Sequence, residues 1–273
     1  MPHTAAPAPA VIGVFDSGIG GLTVVAALRE LLPNEHIFYV GDTARVPYGG
    51  KSQETVTRYS QEICQFLLAQ NCKAIVVACN TASALAVSAL RETHSIPILG
   101  MIQPGAEAAV RATRNDRIGI IGTRATILSR AYDHAIRLLS PTATIVSHAC
   151  PVLVPMIEEG WLDDPLTAAA IERYVRPLLD ENIDTLVLGC THYPLLGAAI
   201  SRIAGPNVHI VDSAQNCAAN LRQLLTEKDL VAETNQTGRL QVSLTDNSIA
   251  FLPVLERSLR MEVGRPRIIR LGV

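Results

Sequence analysis

Apolar runs of strand length alternate with segments of helical periodicity along most of the chain. The runs VIGVFDS (11–17), KAIVVAC (73–79), RIGIIGT (117–123) and DTLVLGC (184–190) are almost continuously apolar. Such runs are typical of strands that are buried on both faces. Between them, segments such as 52–71 have the 3.6-residue spacing of an amphipathic helix. The alternation predicts an α/β fold of mostly parallel sheets covered by helices.

The same pattern predicts the remaining elements. Further strands are expected at 36–42, 96–101, 142–148, 208–213, 239–246 and 267–271. Helices are expected at 21–32, 81–92, from 104, at 125–139, near 152–159, at 165–181, from 191, at 214–229 and near 248–260. The first ten residues, MPHTAAPAPA, have no apolar core of signal-peptide length and are expected to form a loose tail.

Two short segments of the first half recur in the second half. IGVFDSG (12–18) resembles IGIIGTR (118–124), and VVACNTA (76–82) aligns more loosely with LVLGCTH (187–193). The two matches occur in the same order, which indicates duplication. The second match aligns Cys79 with Cys190. We therefore expect two similar domains that face each other, each with a cysteine at the cleft.

Composition narrows the classes of function. The 273 residues are 48% hydrophobic, carry a net charge of −2 and show no basic stripe, so neither nucleic acid nor a membrane surface is an expected partner. The apolar runs fall short of the roughly 20 residues that span a bilayer. Without a signal peptide the cytoplasm is the expected location, and the six cysteines are expected to be reduced thiols. The sequence contains no Cys-x-x-Cys pair, so a zinc site of that kind is not expected.

Candidate chemistry gathers at the ends of predicted strands, where parallel sheets bind ligands. Cys79 and Cys190 each end an apolar run and precede the predicted start of a helix. Backbone N–H groups and the helix dipole there favour a thiolate and can hold a carboxylate. The alternative to a chemical role is a structural one, in which each cysteine is a small buried residue beside a helix cap. The occurrence of two cysteines at matched positions favours the chemical role.

Other polar residues lie at the same expected edge. Asp16 and Ser17 end the first strand before a glycine-rich turn that fits neither GxGxxG nor a P-loop, so nucleotide binding is not expected. Asp16 is either a helix cap or a carboxylate that holds a proton beside a thiol. His192 is either a cap or a partner of the nearby Cys190. The loop GDTARVPYGG (41–50) is suited to surrounding a ligand with backbone groups.

These residues carry a resemblance that runs from about residue 11 to beyond 250. The motifs are FDSGIGGLTV (15–24), GDTARVPYG (41–49), ACNTAS (78–83), CPVLVPMIEEG (150–160), LGCTHYPLL (188–196) and VDSA (211–214). Together they resemble the glutamate racemase family. The resemblance implies two pseudosymmetric α/β domains with the active site between them. It also implies cofactor-independent interconversion of L- and D-glutamate, which supplies D-glutamate for peptidoglycan. One domain is then expected at 11–100 plus 213–273, and the other at 101–212.

The resemblance also implies roles for individual residues. Cys79 and Cys190 are implied as the two acid/base groups, assisted by Asp16 and His192 respectively. A glutamate of the VPMIEE segment is expected near the site, and we choose Glu158 over Glu159. The implied substrate-binding residues are Ser17, Tyr48, Gly49, Asn80, Thr81, Thr123 and Thr191. No cofactor and no metal are expected, the partner is the small-molecule substrate glutamate, and the expected assembly is a homodimer.

Three alternatives remain open at this stage. The nearest is a racemase of aspartate or another acidic amino acid on the same fold. A second is thiol-based redox or acyl-transfer chemistry, in which only one of the two cysteines would matter. A third is a binding protein for an acidic ligand that has no turnover. Substitution of each cysteine separates these classes, because only a two-base enzyme loses racemisation at either position.

Overall fold

The computed structural model describes residues 10–232, 237–247 and 250–272. Its strands are Val11–Asp16 (β1), Ile37–Gly41 (β2), Cys72–Val77 (β3), Ile98–Gly100 (β4), Arg117–Gly122 (β5), Thr144–Ala149 (β6), Thr185–Gly189 (β7), His209–Asp212 (β8), Leu240–Leu244 (β9) and Arg267–Ile268 (β10). Its α-helices are Leu22–Leu31 (α1), Gln53–Leu68 (α2), Asn80–Thr93 (α3), Ile102–Ala112 (α4), Arg124–Leu128 (α5), Ala131–Leu139 (α6), Leu153–Glu158 (α7), Pro165–Leu179 (α8), Gly197–Ala204 (α9), Ser213–Glu227 (α10) and Leu252–Leu259 (α11). None of the helices in these ranges is both long and apolar enough to cross a membrane.

The strands form two sheets in which neighbouring strands run parallel. The larger sheet has the order β10-β9-β2-β1-β3-β4, and the smaller has the order β6-β5-β7-β8. The order β2-β1-β3-β4 therefore recurs as β6-β5-β7-β8, so that β1 corresponds to β5 and β3 to β7. The repeated sequence segments lie on these pairs of strands. The predicted fold class, with two α/β units built on parallel sheets, is confirmed.

The central strand β1 is buried on both faces, which explains its continuous apolar run. Ile12 and Val14 point into one hydrophobic cluster, whereas Phe15 points into another on the opposite face of the sheet. The first cluster also contains Leu186 and Leu188 of β7, so one core runs from the first sheet to the second. This shared core fixes the carboxyl ends of the two sheets relative to each other.

Several element boundaries differ from the sequence prediction. The helix expected at 125–139 is two helices, because Arg130 adopts a left-handed conformation (φ 53°) between α5 and α6. The side chain of Ser129 also accepts a hydrogen bond from the N–H of Ala131 there. The strand expected at 267–271 is shorter in the structure, where β10 ends at Ile268. Of the helix expected near 248–260, residues 248–249 lie outside the described residues, as do residues 1–9 of the expected tail.

Candidate active site

A cavity of about 350 Å³ lies where the carboxyl ends of the two sheets meet. Ser17 follows β1, Cys79 lies just after β3, Thr123 follows β5 and Cys190 follows β7. Of the residues predicted for the site, those that line the cavity are Ser17, Tyr48, Gly49, Cys79, Asn80, Thr81, Thr123, Glu158, Cys190, Thr191 and His192. The remaining one, Asp16, is fully buried next to it. Each sheet therefore brings one cysteine to a shared space.

Cys79 is itself the N-cap of α3. Its Sγ accepts a hydrogen bond from the N–H of Ala82 at 3.4 Å and lies 3.7 Å from the hydroxyl of Ser17. Asn80 and Thr81 occupy the first helical positions after it. Burial and the charge of Asp16 raise the pKa of Cys79 to about 12, and they outweigh the N–H contact that lowers it. The N–H contact favours a thiolate at this helix start, as expected, but burial outweighs it, so Cys79 is a thiol at neutral pH.

Asp16 is held in the glycine-rich turn that follows β1. Its Oδ2 accepts hydrogen bonds from the N–H groups of Gly18 and Gly21, each at 3.1 Å. Gly21 is the N-cap of α1, so Asp16 bonds the turn without occupying the cap position. Its Oδ1 is buried and has no hydrogen-bond partner among the described residues. Burial raises the pKa of Asp16, while the charge of His192 and the backbone N–H groups oppose the rise.

His192 connects Cys190 to Glu158. Its Nδ1 lies 3.8 Å from Sγ of Cys190, and its Nε2 lies 3.0 Å from Oε1 of Glu158. Burial lowers the pKa of His192, but the hydrogen bonds with Cys190 and Glu158 outweigh it and raise the pKa to about 10. The ring is therefore an imidazolium at neutral pH, and its positive charge stabilises a thiolate on Cys190. Glu158, rather than Glu159, faces the cavity.

The imidazole ring of His192 is also fixed on its faces and edges. Phe251 stacks on it with ring centroids 5.7 Å apart and an interplanar angle of 16°. Gly20 approaches so closely that a Cβ there would lie 2.4 Å from the ring. Any side chain at this glycine would displace the ring, because real Cβ atoms do not come that close. The orientation of His192 is thus determined by residues from distant parts of the chain.

No α-helix begins at Thr191, contrary to the sequence prediction. The segment Tyr193–Leu196 is a single 3₁₀ turn, and α9 begins only after it. Pro194 has no N–H with which to continue an α-helical ladder. Thr191 makes no capping bond, and its hydroxyl lies 3.5 Å from Nδ1 of His192. Stabilisation of a Cys190 thiolate therefore comes from the imidazolium rather than from a helix dipole.

Hydroxyl groups join the two sheets on one wall of the cavity. The hydroxyl of Thr81 lies 2.8 Å from that of Thr123 and 3.2 Å from that of Thr126. Thr81 belongs to α3 beside the first sheet, whereas the other two lie at the start of α5 beside the second sheet. A Cβ added to Gly49 would lie 2.9 Å from Thr123. Thr81 and Thr123, which line the cavity, thus place hydroxyl groups from both units on this wall.

Tyr48 forms another wall of the cavity and is held from behind. Its hydroxyl donates to Oδ2 of the fully buried Asp42 at 2.5 Å. Asp42 also accepts hydrogen bonds from Nε of Arg45 at 2.7 Å and from the hydroxyl of Thr245 at 2.9 Å. Burial and Asp42 raise the pKa of Tyr48, so the phenol stays protonated. The loop at 41–50 is thus anchored to the end of β9.

Cys150 is a third thiol that lines the cavity. It lies after β6, its Sγ contacts the carbonyl oxygen of His148 at 3.6 Å, and it is fully buried. Burial and the nearby Cys190 raise its pKa to about 12, so it is protonated at neutral pH. Among the described residues, no group of three or more His, Cys, Asp and Glu side chains is arranged to hold a metal ion.

Sequence reasoning missed four residues at or next to the site. Arg124 lines the cavity, and Thr126 belongs to its hydroxyl wall. Its place three residues after Thr123, whose N-cap hydroxyl accepts the N–H of Thr126, is a signal that could have revealed it. Tyr132 hydrogen-bonds to Asn80, and Phe251 stacks on His192. No local sequence pattern predicts these last two contacts, because they join segments that are distant in sequence.

Two parallel α/β units with a thiol from each at one cavity are the arrangement that the comparisons with known proteins place among the amino acid racemases, which are isomerases. A sequence model of the Asp/Glu/Hydantoin racemase family matches residues 13–221, and the chain belongs to this family. It is 49% identical over 248 residues to a glutamate racemase of Syntrophus aciditrophicus, an alignment that covers 91% of this chain and 92% of the relative.

Two solved structures show the same fold over nearly the full chain. Glutamate racemase isoform RacE1 from Bacillus anthracis has a TM-score of 0.91 at 40% identity, covering 95% of this chain and 97% of that chain. Glutamate racemase from Francisella tularensis, solved in complex with D-glutamate, has a TM-score of 0.89 at 37% identity, covering 96% and 97% of the two chains. The predicted resemblance to the glutamate racemase family is confirmed.

Proposed function

We propose that this protein interconverts L- and D-glutamate without a cofactor, by removing the α-proton on one face and delivering a proton on the other. The observation that carries the proposal is the pair of cysteines, one from each sheet, at a single cavity. A single base would tend to return the proton to the face from which it came. Two thiols on opposite walls avoid this, provided that one is a thiolate while the other is a thiol.

The unequal surroundings of the two thiols support a direction for each step. We assign the base for L-glutamate to Cys190, because its Sγ lies 3.8 Å from the His192 imidazolium, and the acid to Cys79, whose pKa is about 12. L-glutamate then loses its α-proton to Cys190, the carbon becomes a carbanion, and Cys79 delivers its own proton to the opposite face. The product is D-glutamate with a thiol at Cys190 and a thiolate at Cys79.

Asp16 serves the reverse direction. D-glutamate requires a thiolate at Cys79, whose pKa is about 12, and a thiol at Cys190. A nearby base must therefore accept the Cys79 proton, while the His192 imidazolium donates its Nδ1 proton to Cys190. Asp16 is buried beside the site with one carboxylate oxygen that has no partner among the described residues, and its pKa is raised. Both features suit a carboxylate that accepts and returns a proton.

Binding of glutamate is assigned to neutral donors. Ser17, Tyr48, Gly49, Asn80, Thr81, Thr123 and Thr191 line the cavity and hold the two carboxylates of the substrate. Tyr48 and Gly49 do so through backbone N–H groups, since the Tyr48 hydroxyl donates to Asp42. Donors that are fixed before the reaction also stabilise the negative charge that develops at the α-carbon. The relative in complex with D-glutamate supports this substrate. The second candidate, aspartate or another acidic amino acid, would use the same thiols and differs in the length of ligand that the cavity accepts.

We further infer the setting of the enzyme. D-glutamate produced in the cytoplasm would supply peptidoglycan synthesis, and a homodimer is the assembly that we expect, with neither nucleic acid nor membrane as a partner.

The domains are assigned to 11–100 plus 213–273 and to 101–212. In support of that division, β9 and β10 join the sheet of β1–β4, while β5–β8 form the other sheet.

Circular dichroism of the purified protein with L-glutamate, D-glutamate and L-aspartate tests the proposal. After dialysis against a chelator, and without pyridoxal phosphate, both enantiomers of glutamate should converge on the racemic mixture. Cys79→Ser and Cys190→Ser should each abolish racemisation, whereas Cys217→Ser, at a buried cysteine outside the cavity, should retain it. A requirement for added metal or cofactor, or loss of activity at only one of Cys79 and Cys190, would contradict the mechanism.

A further inference from the structure

A buried tyrosine from the second unit reaches the cavity residue Asn80. Tyr132 lies on α6, is 2% exposed and donates a hydrogen bond from its hydroxyl to Oδ1 of Asn80 at 2.8 Å. The same hydroxyl lies 3.0 Å from Oγ of Ser213, the first residue of α10. Since a phenol has one proton, which goes to Asn80, its oxygen is left to accept from Ser213, whose hydroxyl also lies 3.5 Å from the carbonyl oxygen of Leu188. The hydroxyl proton of Tyr132 is thus committed to Asn80.

Two glycines form the slot that holds the ring of Tyr132. A Cβ on Gly105 of α4 would lie 2.9 Å from Cε1 of Tyr132 and 3.0 Å from its hydroxyl. A Cβ on Gly189, the last residue of β7, would lie 3.3 Å from Cε2. The ring is thus confined on both edges, and its hydroxyl can reach Asn80 only because neither glycine carries a side chain.

We propose that Tyr132 is a positioning residue for substrate binding, which orients the carboxamide of Asn80. Because Oδ1 of Asn80 is engaged by Tyr132, the two N–H groups of Nδ2 are left to face the cavity that Asn80 lines. Nδ2 makes no hydrogen bond to another described residue. Two N–H donors suit a carboxylate, whereas the reversed amide would present a carbonyl oxygen to it. The inference rests on the proposed function, in which Asn80 holds the substrate.

This arrangement gives Tyr132 a role distinct from packing. Asn80 as a whole residue is 3% exposed and occupies the first position of α3. Without the phenol hydroxyl, its carbonyl oxygen is left buried without a partner, and rotation of the amide would offer the substrate the wrong group. The loss should therefore appear as weaker binding of both enantiomers rather than as a change in proton transfer.

Tyr132→Phe tests this, since it removes only the hydroxyl. We expect KM for L- and D-glutamate to rise by roughly 5- to 30-fold with kcat changed far less, as for the loss of a buried hydrogen-bond partner. In an Asn80→Ala background the same substitution should change kcat/KM by less than about 2-fold, because its target is gone. Ser83→Ala is the matched control, because Ser83 lies on the same helix as Asn80. The substitution removes the hydrogen bonds that the Ser83 hydroxyl makes with Val77 and Met101, and it does not touch Asn80.

A measurement on the free protein separates this inference from the proposed function. In ¹⁵N-labelled protein, the side-chain amide signals of Asn80, identified by their loss in Asn80→Ala, should shift in Tyr132→Phe and stay in place in Ser83→Ala. If glutamate is not turned over but these signals shift, the proposed function fails and the contact stands. An unmoved amide signal, an equal loss of kcat/KM in both backgrounds, or an equal loss in Ser83→Ala would overturn the inference.

Discussion

Replacement of His192 by asparagine should slow the two directions of the reaction unequally. The ring lies 3.8 Å from Sγ of Cys190 and is an imidazolium at neutral pH. In the complex with L-glutamate, Cys190 must be a thiolate, and His192→Asn removes the charge that stabilises it. In the complex with D-glutamate the thiolate is on Cys79, which has Asp16 beside it. The larger fall in kcat is therefore expected in the L-to-D direction.

The size of the effect follows from the geometry. Two unit charges 3.8 Å apart attract each other by about 4 kcal/mol at an effective dielectric constant of about 20. If the whole of that energy were lost from the reactive state, the rate would fall by about 10³-fold. Loss of a general acid/base helper typically costs about 10²- to 10⁴-fold. We expect kcat for L-to-D conversion to fall by roughly 10²- to 10³-fold.

Circular dichroism measures kcat and KM separately for the L-to-D and D-to-L directions, and the two values of kcat/KM provide an internal check. Enantiomers have equal free energies, so kcat/KM must be the same in both directions for every variant, and any bias in kcat must be matched in KM. Asp16→Asn is the complementary variant and should slow D-to-L conversion more. If both variants show the same directional bias, or if neither changes kcat, the assignment of one helper to each cysteine is wrong.

Further predictions concern how His192 is held. Phe251→Leu removes the ring stacked on His192 and should lower kcat for L-to-D conversion by roughly 2- to 10-fold in the dichroism assay, more than in the other direction. Gly20→Ala should reduce activity strongly, because its Cβ would collide with the imidazole, whereas Gly197→Ala, with open space around it, should not. Folding raises the pKa of His192 from its usual 6.5 to about 10, so its stabilising contribution is complete below pH 6.5 and is lost as the pH rises through about 10. The difference in unfolding free energy between the protein and His192→Asn, measured by urea titration, should shrink over that range, and a difference that grows would contradict it.

The sequence predicted the fold and most of the cavity for a physical reason. Buried parallel strands need continuous apolar runs, and the chain places its polar site residues where those runs end. That is why Cys79 and Cys190 were found from local pattern, and why the repeat placed them on equivalent strands. The protonation of Cys79 was not predictable from local pattern, because burial outweighs the N–H contact at the helix start.

Contacts between distant segments account for most of what the sequence did not reveal. Phe251 packs on His192, and Tyr132 reaches Asn80, only after the two sheets have come together. Boundaries failed where a single residue breaks the periodic pattern, as Arg130 does with its left-handed backbone. Apolar periodicity reports which face of an element is buried, but it does not report which partner covers that face.

Isotope incorporation in deuterated water tests most directly the claim that two thiols act on opposite faces. Each enantiomer of glutamate is supplied separately, and the reaction is stopped after the first few turnovers. The product should carry deuterium at the α-carbon, while recovered substrate stays largely unlabelled, because the thiol that removes the proton is not the one that delivers the next. Rapid labelling of recovered substrate ahead of product would instead indicate a single base and would contradict the two-thiol mechanism.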